Sequence, residues 1–243
     1  MIIAIDAGNT RIKWGVHDGA GWADQGVLAT ADVAWLGEAA DEWPAGARVL
    51  LCNVAGAAVG QTLSRILERH HRRLTLFHAS DAACGVHNAY DRPGQLGADR
   101  WAALIGARGQ TSDACLVVCA GTATTLDRLD ASGQFRGGAI LPGFDLMRAA
   151  LAQNTAQLPL GQPDEGQFCA EPRNTLDAIF SGCLHAQAGA VERMFATMAS
   201  EAGALCLLSG GAAARLAPHV NIPYKKVDNL ILDGLVRFGA TLA

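Results

Sequence analysis

Three stretches of this chain carry side chains of the types that chemistry uses, at spacings that chemistry needs. In Asp6-Ala7-Gly8-Asn9-Thr10 a carboxylate stands two residues ahead of a glycine turn, with Arg11 and Lys13 just beyond it. A carboxylate so placed can hold Mg2+, usually through water, while the backbone N–H groups of the turn approach phosphate oxygens. Such donors bind anions well because they are fixed before the ligand arrives. Asp, Gly and Asn are also what an ordinary hairpin turn selects, so that plainer reading stands beside the first. Strand alternation puts Arg11 and Lys13 on one face, opposite Ile12, where they either neutralise phosphate charge or are simply solvated.

The second stretch is Gly121-Thr122-Ala123-Thr124-Thr125, followed by Asp127. A hairpin needs no such run of hydroxyls, which favours contact with a nucleotide. The third runs from Tyr90 through Gly97-Ala98-Asp99-Arg100-Trp101, a loop feeding a helix whose first turn carries Asp99 and Arg100. Asp99 reads as a helix-start residue favoured by the macrodipole, or as the acceptor of a proton from an attacking hydroxyl beside a guanidinium that fixes an anion. Spacing alone does not choose.

The elements that position these residues repeat. Ile3 to Val16 reads as a short apolar strand, a Gly-Asn turn and an alternating strand ending at Asp18-Gly19; Leu116 to Asp127 has the same grammar. One constant offset pairs Asp6 with Cys119, Gly8 with Gly121, Asn9 with Thr122 and Trp22 with Phe135. Each half continues in the same way. Val49 to Val54 is a buried strand leading to a helix over 62–71, and Leu205 to Gly211 leads to a helix over 212–216. Between them, Trp101, Leu104, Ile105 and Arg108 sit at helical spacing. A longer helix is expected from an Asn174 cap through Phe195. The result is a duplicated α/β unit whose two glycine turns would face a phosphate-binding cleft.

Of the 243 residues half are apolar and 17% charged, enough for a buried core and too apolar for disorder. The 19 basic and 23 acidic residues give a net charge of −4 with no basic stripe, which argues against nucleic acid. Apolar runs are too short for a membrane span or an export signal. The odd set of seven cysteines, without Cys-x-x-Cys spacing, suits reduced thiols and a cytoplasmic protein.

Taken in order, Asp6 to Thr10, Tyr90 through Gly97-Ala98-Asp99-Arg100, Gly121 to Thr125 with Asp127, Gly137 to Gly143, and Asn174-Thr175 with Ser181-Gly182 resemble the motifs of type III pantothenate kinases. The resemblance spans most of the chain. It implies the α/β superfold of acetate and sugar kinases, Hsp70 and actin, with ribonuclease-H-like lobes at residues 1–112 and 113–243. It further implies a homodimer that moves the γ-phosphoryl group of ATP to pantothenate in coenzyme A biosynthesis. By the same resemblance Asp6, Ala7, Gly8, Asn9, Thr10, Arg11, Ile12 and Lys13 form the phosphate loop, with Mg2+ at Asp6, and Thr122 contacts ATP. Tyr90, Gly97, Ala98, Asp99 and Arg100 bind pantothenate, with Asp99 as proton acceptor, and Thr175 reaches the neighbouring subunit's site.

One position departs from the family pattern. Cys119 stands where the family has an Asp that helps hold a monovalent cation, potassium or ammonium. A thiol is mostly neutral at pH 7 and sulfur suits a hard cation poorly, so potassium dependence is expected to be weakened unless another oxygen substitutes. Two other readings remain: a different small-molecule kinase of the superfold, and a non-catalytic accessory factor in transcription. Intact Asp6 and Asp99 argue against the latter.

Overall fold

A computed structural model describes residues 1–70, 73–154 and 166–242. The first half of the chain forms β1 (Ile2–Ala7), β2 (Arg11–His17), β3 (Trp22–Ala29), α1 (Leu36–Glu42), β4 (Arg48–Asn53), α2 (Ala57–Arg69), β5 (Arg73–Leu76), β6 (Ala82–Ala83), β7 (Val86–Asn88) and α3 (Ala98–Gln110). The second forms β8 (Cys115–Ala120), β9 (Ala123–Leu129), β10 (Gln134–Pro142), α4 (Phe144–Asn154), α5 (Thr175–Ala196), β11 (Leu205–Ser209), α6 (Ala213–Leu216), β12 (Tyr224–Lys226) and α7 (Leu230–Ala240). The chain divides into two contact units. Unit 1 comprises residues 1–112, 132–136 and 229–243; unit 2 comprises 113–131 and 137–228. The division falls at residue 112, with two later segments, one of them holding α7, grouped into unit 1.

Unit 1 contains a sheet of order β3-β2-β1-β4-β5, antiparallel across β1, β2 and β3 and parallel across β1, β4 and β5. β1 and β4 lie inside the sheet and are covered on both faces, which is why Ile3, Ala4, Ile5, Val49, Leu50 and Leu51 form unbroken apolar runs. In β2, Ile12 is buried while Arg11 is exposed and Lys13 partly so, as alternation requires. The helix expected from Thr62 begins earlier, at Ala57, because Val59 adds a turn to the stripe of Leu63, Ile66 and Leu67 on the same core. Its expected last residue, His71, lies outside the described residues.

Helix α3 is held by α7 at unusually close range. A Cβ on Gly106 would strike the carbonyl of Leu230, and one on Gly234 would strike that of Ala102, so only glycine admits this approach. Arg48 adds a hydrogen bond from Nη1 to the Gly239 carbonyl, 3.1 Å. The helix whose first turn carries Asp99 is thereby fixed.

Unit 2 repeats the strand order as β10-β9-β8-β11-β12, with β8 and β9 antiparallel and β8, β11 and β12 parallel. Leu116, Val118, Leu126, Val191, Cys206 and Leu208 make its core. The Asn174 cap is formed as expected: its side chain accepts from the Asp177 N–H at 2.9 Å, and the helix runs from Thr175 to Ala196. Among the described residues no helix is long and apolar enough to cross a membrane.

Candidate active site

The first turn is a tight one. The Gly8 N–H donates to the Arg11 carbonyl at 3.0 Å, leaving Asn9 and Thr10 exposed at the tip. Its shape is set from outside the hairpin by Thr30, whose hydroxyl donates to the Gly8 carbonyl at 2.7 Å and whose N–H donates to the Thr10 carbonyl at 3.0 Å. Thr30 lies in the turn after β3 and was not legible as a site residue, since nothing in its neighbourhood marks it. The side chains of Ala7 and Ile12 are buried in the core, so the part of this segment open to a ligand is Gly8-Asn9-Thr10, flanked by Asp6, Arg11 and Lys13.

Strand register places Asp6 opposite Lys13 on one side and Cys52 on the other. Helix α3 brings Asp99 within electrostatic range of Asp6. Burial, together with the like charge of Asp99, pushes the Asp6 carboxyl up to about 7, against a smaller opposing pull from Lys13. Burial and the same two carboxylates drive the Cys52 thiol well above its usual range, so it stays protonated. Two carboxylates repelling one another in a half-buried corner favour a divalent cation, which would relieve both the desolvation and the repulsion. The donor set therefore fits Mg2+ at Asp6.

Asp99 is partly exposed in the first turn of α3, its Oδ1 accepting from the Arg100 N–H at 2.9 Å. Gly97, the residue before the helix, makes room for it, since a Cβ there would stand 2.6 Å from that oxygen. Ala98 follows, partly buried. Arg100 is only 5% exposed and donates from Nη1 to the Tyr90 hydroxyl at 2.9 Å. The structure thus joins Arg100 to Tyr90 and sets Asp99 within electrostatic reach of Asp6, all in unit 1. It also places Phe135 and Asn88 against Tyr90; the sequence repeat marks Phe135 only as the counterpart of Trp22, and nothing in the sequence marks Asn88.

In unit 2 the Gly121 N–H donates to the Ala123 carbonyl at 3.0 Å, and Thr122 is exposed at the tip. The Gly143 N–H donates to the Thr122 carbonyl at 2.9 Å, and a Cβ on Gly143 would collide with the carbonyls of Gly121 and Thr122. Cys119 is partly buried near the end of β8, paired with Thr125 and Ser209. Thr175 is exposed at the first position of α5. A cavity of about 440 Å³ in unit 1, lined by Asn53, Gln61, Arg65, Phe77 and His78 among others, includes none of the expected site residues.

A family profile described as type III pantothenate kinase matches residues 2–197. A protein of that name from Aromatoleum aromaticum (strain DSM 19018 / LMG 30748 / EbN1) is 57% identical over 235 residues, covering 97% of this chain and 96% of its own. Another from Azoarcus sp. (strain BH72) is 51% identical over 242 residues, covering 99% and 91%. Among solved structures, a Sinorhizobium meliloti protein described as a 2-dehydro-3-deoxygalactonokinase aligns with TM-score 0.64 at 17% identity, over 100% of this chain and 99% of its own. MreB 5 of Spiroplasma citri aligns with TM-score 0.51 at 12% identity, over 99% and 96%. At such identities the likeness speaks for fold, and it is the duplicated ribonuclease-H-like superfold of sugar kinases, Hsp70 and actin.

Proposed function

This chain belongs to the type III pantothenate kinase family, and from that premise we propose how its own residues divide the work. The protein is a pantothenate kinase: it transfers the γ-phosphoryl group of ATP to pantothenate, giving 4'-phosphopantothenate in the first step of coenzyme A biosynthesis. Phosphoryl transfer passes through a loose transition state, so alignment and charge neutralisation matter more than a strong base. With the Gly8 N–H closing the turn onto the Arg11 carbonyl, the exposed tip at Asn9 and Thr10 meets the phosphate oxygens, and Arg11 and Lys13 offset their charge. Ala7 and Ile12 belong to this loop as its sheet and core foundation. Thr122 contacts the nucleotide. Mg2+ held at Asp6 supplies further neutralisation when bound.

Arg100 and Tyr90 take the carboxylate end of pantothenate, with Gly97 and Ala98 forming the adjoining wall. As the pantothenate hydroxyl oxygen bonds to the γ-phosphorus and the bond to ADP breaks, the hydroxyl proton passes to Asp99. One observation carries this reading: Asp99 sits within electrostatic reach of Asp6 while its neighbour Arg100 is already engaged by Tyr90. ADP release by the purified chain, followed with and without pantothenate, tests it. Release that depends on pantothenate is expected, and pantothenate-independent or absent release would overturn it.

The active form in this reading is a cytoplasmic homodimer in which Thr175 reaches the partner's site. Exposed Ile140, Leu146 and Leu151 supply apolar surface for an interface, and none of the seven cysteines is in a disulfide, as a reducing compartment maintains. Cys119 weakens the monovalent-cation site, so potassium or ammonium stimulates this enzyme little. The duplicated lobes are residues 1–112 and 113–243, with segments 132–136 and 229–243 serving the first.

A further inference from the structure

We propose that Phe135 is a positioning residue that holds Arg100, and through it the carboxylate end of the acceptor substrate, in place. The inference rests on the role given to Arg100 above. An arginine side chain has many rotamers, and as an anchor it works best when that freedom is already lost before the substrate arrives.

Phe135 supplies one wall of the restraint. The Arg100 Cζ lies 5.7 Å from the centroid of the Tyr90 ring and 5.9 Å from that of Phe135. The two rings are themselves packed at 5.4 Å with an interplanar angle of 35°. The guanidinium therefore meets two aromatic rings while its Nη1 donates to the Tyr90 hydroxyl, so ring contact and hydrogen bond together select one side-chain orientation. Tyr90 belongs to a loop and would not hold this geometry by itself.

The other parts are equally determined. The Asn88 side chain pins the loop from both ends, its Oδ1 accepting from the Tyr90 N–H at 3.1 Å and its Nδ2 donating to the carbonyls of Pro93 and Ser80 at 3.2 Å each. Phe135, fully buried, arrives from a segment far away in the chain because β10 pairs with β7 in the register Phe135 to Asn88 and Gln134 to His87. That register is locked by Gly133: its φ is +87°, a Cβ would collide with the Gly85 carbonyl, and its own carbonyl accepts from the His87 N–H at 2.8 Å. The residues Ser132–Arg136 group with unit 1 for this reason.

The test is steady-state kinetics, with each substrate varied, on the full chain and on Phe135→Leu, Phe135→Tyr, Arg100→Met and the Phe135→Leu/Arg100→Met double variant. Arg100→Met is expected to raise KM for pantothenate roughly 100-fold. Phe135→Leu should raise it about tenfold, the size of a desolvated cation–π contact, with kcat and KM for ATP within about twofold. Phe135→Tyr keeps the ring and should restore near wild-type values. In the double variant the effects should not multiply, staying within about threefold of Arg100→Met alone, because Phe135 acts through a side chain already gone. A residue that merely filled the core would instead give multiplying effects and no ring-specific rescue. If Arg100→Met raises KM and Phe135→Leu does not, the positioning role is overturned while the function stands. If Arg100→Met itself leaves KM unchanged, the anchor reading and this inference both fall. Should circular dichroism show Phe135→Leu unfolded, Phe135→Met, which fills the space without the ring, stands in for it with the same expectations.

Discussion

In the first hairpin Ala7 pairs with Ile12 and the turn encloses Gly8 to Arg11; in the second Ala120 pairs with Thr124 and encloses only Gly121 to Ala123. The strand positions behind them differ more. Asp6 stands opposite Lys13, whereas Cys119 stands opposite Thr125. The supports differ too, with a threonine hydroxyl on the Gly8 carbonyl in one case and the backbone of Gly143 on Thr122 in the other. Both hairpins thus keep a glycine turn, while the groups proposed to exchange a proton or hold a divalent cation are concentrated in unit 1. Loss of charge in unit 1 should therefore disturb chemistry, and loss of shape in unit 2 should disturb nucleotide binding.

The sharpest way to break this contrast is Asp99→Asn, which keeps the shape and removes the proton acceptor. Turnover should fall by roughly 10² to 10⁴, the range for a general base, with KM for ATP little changed. Wild-type turnover in that variant, measured by ADP release, would take Asp99 out of the reaction.

Next in size is the pH dependence that the Asp6 and Asp99 pair imposes on stability. The Asp6 carboxyl is pushed up to about 7 in the folded chain, so between about pH 4 and pH 7 the folded state binds more protons than the unfolded one. Stability in metal-free buffer should accordingly fall as pH rises through that window, by on the order of 2 to 4 kcal/mol from this group alone. Asp6→Asn should flatten the slope in urea unfolding measured at each pH. Asp99→Asn should shrink it by removing a like charge, and Mg2+ should offset it. Parallel profiles for wild type and Asp6→Asn would show that the corner is better solvated than its geometry implies. Unit 2 has no counterpart pair at Cys119 and Thr125, so Cys119→Ser should leave the profile unchanged.

Glycines give a third comparison. Gly143→Ala sets a methyl group against two backbone carbonyls that cannot swing away. It should cost about 1 to 3 kcal/mol in thermal unfolding and raise KM for ATP about tenfold by distorting the Thr122 turn. Gly97→Ala meets only the movable carboxylate of Asp99, so folding should change by less than about 1 kcal/mol while kcat drops roughly 10-fold or more. Equal losses of stability in the two variants would erase the distinction between a backbone buttress and a side-chain berth.

Much of this architecture is legible in the chain itself. Alternation in Arg11-Ile12-Lys13-Trp14, the 3.6-residue spacing of Trp101, Leu104 and Ile105, and the Asn174 cap all report local geometry, and all reappear in the structure. Asp6, Asp99 and Arg100 draw attention as residue types able to do chemistry, while the choice among their readings, and the place of Tyr90 beside them, come from the family resemblance. What periodicity cannot tell is which distant partner a face meets. The approach of Asp99 to Asp6, the Thr30 support 22 residues beyond Gly8, and the wedge of Phe135 against Tyr90 are all long-range consequences of packing. A faint signal did exist for the α3 and α7 contact. Gly106 and Gly234 each sit inside a helix, where glycine costs about 1 kcal/mol, and that cost is explained by the close approach. Trp22 and Phe135, paired by the sequence repeat, are the first residue of β3 and the second of β10 and serve different ends: Trp22 donates to Asp233, and Phe135 lies against the Arg100 guanidinium.

The smallest expected effect probes Cys119 directly. A carboxylate there would add a hard oxygen donor of the kind that potassium prefers, at a partly buried strand end beside the Thr125 and Ser209 positions. Cys119→Asp should therefore increase the ratio of activity in potassium to activity in sodium by roughly threefold or more over that of the wild type. Its thermal stability should drop when both cations are withheld, since a carboxylate would then be partly desolvated without a counter-charge. Cys119→Ser, neutral and nearly isosteric, should move neither quantity much. A wild-type chain that already requires potassium strongly would mean that other oxygens build the cation site without position 119, and the second hairpin would then carry charge chemistry of its own.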